Sequence, residues 1–293
     1  MEFWQHVAFL ETDQLVEVAR TAERVGFTGI VTADHQVYPR QLRSTYPYTP
    51  DGSPLWSPET PWPDSWCLIS AMAAATTTLR FTNAVYIAPA RSLFTVAKLV
   101  ATASVISNGR VSLGVGAGWM AEEFELNGTD YRTRGKRLDE MIEALRVLWT
   151  PGWQQFHGRF YDFDELMMPP WPPAEVPVYA GGISDAALRR ATTLCDGWLG
   201  EGARSLDEAL QWIERVRRDH AAGPRADRPF TILTAVGEEI TPELVRRLED
   251  AGVTGLMCAP WMTAEVVEGN FRSSLDVKVR AIEQFAESVI AKV

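Results

Sequence analysis

Two rhythms of apolar residues alternate along this chain. Short, nearly continuous apolar runs suit strands buried on both faces, and they are separated by segments whose apolar residues recur every three or four positions, as in helices packed on one side. The first run predicts a strand over 3–10 and is followed by a helix over 13–25, closed by Gly26 at its C-terminus. A second strand is predicted over 28–33, a helix over 64–75, a third strand over 79–87, a helix over 93–107 and a fourth strand over 111–115. The clearest helix follows, with Leu138, Met141, Ile142, Leu145 and Leu148 on one face. Four further strands are expected over 176–180, 197–199, 230–236 and 254–258, with helices over 186–194, 206–220, 242–251 and 275–290. Eight strands, each followed by a helix, imply a parallel sheet covered by helices. In 293 residues this predicts an α/β fold closed as a (β/α)8 TIM barrel, one domain over 1–293. One junction recurs, Ala22-Glu-Arg-Val-Gly-Phe-Thr-Gly-Ile against Leu248-Glu-Asp-Ala-Gly-Val-Thr-Gly-Leu, as a repeated strand–helix unit needs.

Two segments break the regular rhythm. A long loop after the second strand, 36–63, carries Tyr38, Tyr46, Tyr48, Trp56 and Trp62, and a stretch this long inside a compact domain is usually functional or disordered. Its aromatics favour an ordered lid. Between 152 and 173, two aromatic-rich runs flank His157-Gly158 and read as a hairpin excursion before the fifth strand.

Composition narrows the function classes. Hydrophobic residues at 46% and charged residues at 23% are ordinary for a protein with a sizeable core. A formal charge of −10 argues against a nucleic-acid binder, because neutralising phosphates requires a basic face. Cys67, Cys195 and Cys258 are odd in number and lack metal-type spacing, and His6, His35, His157 and His220 are scattered, so no metal is expected. The start lacks the basic and apolar pattern of a signal peptide, and the longest apolar stretch, 67–75, is about half of a bilayer span. A cytoplasmic protein, with no membrane partner, is the expectation.

Candidate chemistry is sought at strand C-termini, where such barrels place their sites. Asp34 and His35 end the second strand. A carboxylate beside an imidazole can orient a ring, move a proton or hydrogen-bond a cofactor; alternatively Asp34 caps the loop and His35 packs under the lid. The segment 83–89, beginning Asn83, Ala84 and Val85, ends in small residues and Pro89 and can admit a flat ligand, or is an ordinary strand exit. Gly114, Gly116 and Gly118 run into Trp119, where glycines let backbone amides approach a ligand. Glu122, Glu123 and Glu125 follow in a helix's first turn, where they favour its dipole without any catalytic role. Gly181, Gly182, Ile183 and Ser184 open the helix after the fifth strand; free amides there make an anion site, or Ser184 or Asp185 simply caps the helix. Together these places suggest a flat cofactor with a phosphate tail across the barrel mouth. No motif for a covalent nucleophile or a P-loop is present.

Segments 26–35, 79–149 and 177–199 resemble the luciferase-like monooxygenase superfamily, and especially its deazaflavin-dependent branch. The specific stretches are Asn108-Gly-Arg-Val-Ser-Leu-Gly-Val-Gly-Ala-Gly-Trp, Glu122-Glu-Phe-Glu and Arg134-Gly-Lys-Arg-Leu-Asp-Glu. Tyr46-Pro-Tyr-Thr-Pro-Asp-Gly and Thr60-Pro-Trp-Pro-Asp are similar to a subgroup of oxidoreductases using coenzyme F420. The resemblance covers nearly the whole chain and implies a barrel holding coenzyme F420, or alternatively FMN, with its ring over the strand ends. It implies Asp34 and His35 beside the ring, a bulge at Asn83, Ala84 and Val85 with a cis peptide at Ala84-Val85, and phosphate at Gly181 to Ser184. Hydride transfer to or from an organic substrate follows, with His35 as proton donor or acceptor and Glu122 or Glu123 as further candidates. Oxygen activation by an FMN-dependent monooxygenase is the second reading, and a non-catalytic carrier or sensor the third. Members that oxidise sugar phosphates carry an acidic residue where this chain has Trp119, so a larger, less polar substrate is expected. A homodimer is also implied.

Overall fold

The apolar runs lie side by side in a computed structural model of the chain, which describes residues 1–262 and 271–293. In chain order, β1 (Glu2–His6), α1 (Leu15–Arg24), β2 (Gly29–Thr32) and α2 (Ser65–Ala74) lead to β3 (Arg80–Asn83), α3 (Leu93–Ile106), β4 (Leu113–Val115), α4 (Ala121–Leu126) and α5 (Arg134–Leu148). The antiparallel hairpin β5 (Gln154–His157) and β6 (Asp162–Leu166) forms the expected excursion. Then come β7 (Val178–Gly181), α6 (Asp185–Leu194), β8 (Gly197–Gly200), α7 (Leu206–Ala221), β9 (Thr231–Thr234), α8 (Pro242–Asp250), β10 (Gly255–Cys258) and α9 (Leu275–Ser288).

Eight strands form one parallel sheet in the order β3-β2-β1-β10-β9-β8-β7-β4. Its two ends meet through parallel bridges, Phe81 to Val111 and Tyr86 to Val115, so the sheet curls into the (β/α)8 barrel that the pattern predicts. Alternation along the strands divides the core in two. Outward residues pack under the helices with Val18, Ile69, Val100, Leu145, Ile213 and Leu248. Inward residues Trp4, Val31, Ala84, Tyr179, Leu199, Leu233 and Met257 fill the lumen as a separate cluster. One layer further towards the strand C-termini, the same alternation points His6, Gly181, Glu201 and Ala235 into the mouth. Among the described residues no helix is long and apolar enough to cross a membrane.

Two of the differences between the strand limits and the sequence pattern shape the mouth. The apolar run 3–10 is a strand only to His6, because the chain turns at Phe9 (φ 66°) and its ring stacks on Phe271 at 4.7 Å. The run 79–87 leaves the regular ladder after Asn83; the Ala84–Val85 peptide is cis, as the resemblance implies, and pairing resumes when Tyr86 N–H donates to Gly114 O at 2.8 Å.

Candidate active site

At the end of β2, Asp34 is fully occupied. Arg91 donates to both of its carboxylate oxygens, Nη1 to Oδ2 and Nη2 to Oδ1, each at 2.8 Å, and Ile87 N–H donates to Oδ2 at 2.9 Å. Arg91 also lies over the Tyr86 ring at 4.3 Å. Burial pushes the Asp34 carboxyl up, while Arg91 and the Ile87 amide pull against it. The bidentate fork keeps the pair ionised. Asp34 therefore braces the segment just beyond the bulge, and none of its oxygens is left without a donor for a cofactor ring.

His35 sits one residue further on, inside an aromatic cage. Its ring lies 4.7 Å from Trp56, 4.9 Å from Trp62 and 5.7 Å from Trp119. Nδ1 is 3.1 Å from Glu123 Oε1, which also accepts from Gln36 N–H at 2.7 Å. Among the described residues Nε2 has no protein partner, so it is the nitrogen available for proton exchange.

The glutamates of α4 hold the long loop. Glu122 accepts from Arg43 N–H (2.6 Å), Ser44 N–H (3.2 Å) and Ser44 Oγ–H (2.7 Å). Although burial pushes upward, the Ser44 hydroxyl and the nearby amides prevail and leave the Glu122 carboxyl below the usual range. Arg43 also pairs with Glu125. All three glutamates of this turn thus serve as anchors for residues 36–44. The loop then crosses the mouth: Tyr46 packs against Trp119 at 5.2 Å and Trp56 at 5.3 Å. Tyr48 lies so close to Gly202 that a Cβ there would come within 2.4 Å of its ring.

The glycine positions serve the bulge. A Cβ on Gly116 would lie 2.3 Å from Val85 Cγ2, and one on Gly181 2.3 Å from Val85 Cγ1. Val85 is thus a wedge seated in the room that two glycines leave in the lumen. Gly118 (φ 83°) turns the chain where a Cβ would meet Ile87 at 2.7 Å and Phe124 at 2.9 Å. At the start of α6, Gly182 (φ 107°) gives the turn and Ser184 Oγ accepts from Ala187 N–H at 3.3 Å. Asp185 is taken by Arg215 at 2.8 Å, which offsets its charge at the helix start. Capping by Ser184 uses one amide of the first turn, and the amides of Asp185 and Ala186 have no protein acceptor among the described residues.

One pair at the mouth was not singled out by the pattern. His6 ends β1, Glu201 follows β8, and His6 Nε2 lies 3.6 Å from Glu201 Oε1. Ala8 N–H donates to His6 Nδ1 at 3.2 Å, which leaves the proton of the neutral ring on Nε2, facing Glu201. Burial pushes the imidazole down to about 4 and the carboxyl up to about 7. Yet 35% of the Glu201 side chain is reached by solvent, so the protein wall around it is incomplete. The strand-end rule was the signal for both residues: His6 was hidden by an overlong first strand, and Glu201 by ending the sixth at Leu199. A groove of about 580 Å³ bounded by Arg217, Arg218, His220 and Phe230 lies at the opposite, N-terminal end of the strands. Its arginines are satisfied by Ala251 O and Asp219, and in such barrels this end serves stability rather than chemistry.

Comparison with known proteins matches the fold. A family model for luciferase-like monooxygenases matches residues 5–269. An uncharacterised protein of Mycobacterium tuberculosis is 37% identical over 293 residues, covering 100% of both chains. Among solved structures, the monooxygenase RslO1 from Streptomyces bottropensis superposes with a TM-score of 0.76 at 16% identity, covering 99% of each chain. An F420-dependent secondary alcohol dehydrogenase in complex with an F420-acetone adduct gives 0.71 at 15% identity, covering 100% of this chain and 99% of its own.

Proposed function

The chain belongs to the luciferase-like monooxygenase family, and on that premise we propose that it is a coenzyme F420-dependent oxidoreductase acting on an organic substrate. The observation that carries this reading is the Val85 wedge, which rises between Gly116 and Gly181 and gives the mouth an apolar floor for a flat ring. The residues fit such a cofactor in two respects. The floor and the aromatic cage suit a tricyclic ring, and the turn at Gly182, Ile183 and Ser184 offers amides at the positive end of α6 to an anionic tail. The likeness in fold to the F420-dependent alcohol dehydrogenase, together with the stretches beginning at Tyr46 and Thr60, supports the deazaflavin. When bound, the deazaflavin supplies hydride exchange. The chain's own part is to exclude water with the 36–63 loop, to hold the ring against Val85, and to move a proton at His35 Nε2. Glu123 fixes the imidazole by its bond to Nδ1.

The likeness to RslO1 favours a second reading, a monooxygenase working with reduced FMN and oxygen. A titration that follows quenching of deazaflavin fluorescence, run beside one with FMN, separates the two. Tight binding of the deazaflavin alone is expected; a protein that purifies yellow, or consumes oxygen with reduced flavin, sinks the first reading. His35→Ala is expected to keep cofactor binding and lose on the order of 10²-fold in turnover or more. Unchanged turnover would remove His35 from the chemistry. A homodimer, measured by sedimentation, belongs to the same proposal.

A further inference from the structure

We propose that His6 and Glu201 form the polar subsite for the organic substrate, one that takes an uncharged oxygen function, a carbonyl or a hydroxyl, and refuses a carboxylate or phosphate. The inference rests on the mouth being the substrate site, and it adds a chemical class that the fold alone does not specify.

Placement comes first. Both side chains project into the top layer of the lumen, above Trp4 and Leu199. β10 and β9 stand between their strands, and β9 is followed there by the small Ala235, so the two heads meet without a bulky residue in between. On the side facing the loop, Tyr46 and Tyr48 complete the enclosure.

Partnering is the second point. Asp34 and Glu122 each accept three hydrogen bonds from the protein. Glu201, on the same rim, accepts none among the described residues; His6 Nε2 stands 3.6 Å away, and the phenols of Tyr46 and Tyr48 are near enough to feel its charge. A carboxyl in a protein wall with no donor of its own is normally disfavoured, since burial of an unpaired charge costs several kcal/mol. Here a third of the side chain is reached by solvent, so its hydrogen-bonding capacity is open to water and to a ligand.

The charge inventory sets the ligand class. The titratable groups facing Glu201 are His6 from β1 and the phenols of Tyr46 and Tyr48 from the loop. Burial pushes His6 down and both phenols up, so all three are neutral around neutral pH. Among the described residues no Lys or Arg pairs with Glu201 to receive an anionic head, and ionised Glu201 repels one. A neutral oxygen is matched at either oxidation level. A carbonyl accepts from His6 Nε2–H and from Glu201 in its carboxyl form; a hydroxyl accepts from His6 and donates to the carboxylate.

Histidine NMR tests this without turnover. The chain has four histidines, and the His6 ring Cε1–H signal is assigned by its loss in His6→Gln. In the purified full-length protein that signal is expected to show an inflection close to pH 7, reporting its neighbour, and to lose it in Glu201→Gln. Excess cyclohexanone is expected to move the wild-type inflection upward and cyclohexanol to move it downward, by about half a pH unit for a roughly threefold preference between protonation states. Cyclohexanecarboxylate is expected to leave it in place. An inflection that survives in Glu201→Gln, or a carboxylate probe that moves the signal more than the neutral ones, overturns the subsite. The wild-type probe series stands even if the variant does not fold. Deazaflavin and FMN titrations on the same sample keep the two proposals apart. Selective neutral probes with no cofactor bound defeat the proposed function and leave the subsite standing, whereas tight cofactor binding with inverted probe selectivity does the reverse.

Discussion

Two acidic residues at the rim of this barrel have been treated in opposite ways. Asp34 ends β2 and is saturated: a bidentate arginine, a backbone amide and almost no exposure. Glu201 follows β8, is largely enclosed by protein and receives no hydrogen bond from the described residues. Both are raised by burial, but only Asp34 has an opposing partner. The contrast teaches how to read a rim of polar residues. A carboxylate whose lone pairs are all used is part of the architecture, however close it lies to the site. One left with capacity is where a ligand is met. Asp34, prominent in the sequence beside His35, is on this criterion a brace for the bulge that carries Val85. Glu201, inconspicuous in the sequence, is the one poised for chemistry.

The largest expected effect comes from breaking the saturated member. Asp34→Ala strands Arg91 in a buried position and is expected to cost about 3–5 kcal/mol in urea-induced unfolding, the usual result of removing one partner of a buried pair. If Asp34→Ala destabilises no more than Glu201→Gln, the comparison fails. A middle-sized effect tests the floor that Asp34 supports. Gly181→Ala drives a methyl towards Val85 Cγ1 and is expected to cost about 1–3 kcal/mol, with recovery when combined with Val85→Ala. Additive losses would mean that the two side chains do not compete for the same space.

The smallest effect sharpens the other member. The Glu201 carboxyl, raised from 4.5 to about 7, keeps in the folded state a proton that the unfolded chain releases. Its contribution is therefore fully present below about pH 4.5 and lost as pH rises through 7. His6 runs the other way: lowered from 6.5 to about 4, it favours the folded state above 6.5 and loses that contribution as pH falls towards 4. The stability of wild type relative to Glu201→Gln is expected to decline between pH 4.5 and 7, as measured by unfolding at a series of pH values. A flat difference would place Glu201 in the ordinary carboxylate range.

Much of the fold was legible from local pattern. The stripe Leu138, Met141, Ile142, Leu145 and Leu148 is the buried face of α5, and Asp64 caps α2 through Trp66 and Cys67 as a helix start there requires. The hairpin excursion and the eight-strand order of strand and helix also follow from it. The site was legible only in outline. The glycines were conspicuous, but Gly116 and Gly181 make room for Val85, a neighbour from another strand, and the pattern offered a ligand's approach as their reason. Glu122 and Glu123 stood out as a pair in a helix's first turn; their role as anchors depends on Arg43, Ser44 and Gln36, some 78 to 87 positions earlier.

The sequence by itself determined the elements, their alternation and hence the barrel, because periodicity is a local property: each residue's face is set by its neighbours within a turn or a pleat. The tertiary structure alone decided which carboxylate is saturated and which is left open. Hydrogen-bond partners are chosen by proximity in space. Asp34 meets Arg91 57 positions away, and His6 meets Glu201 only because closure of the barrel brings β1 and β8 to the same lumen.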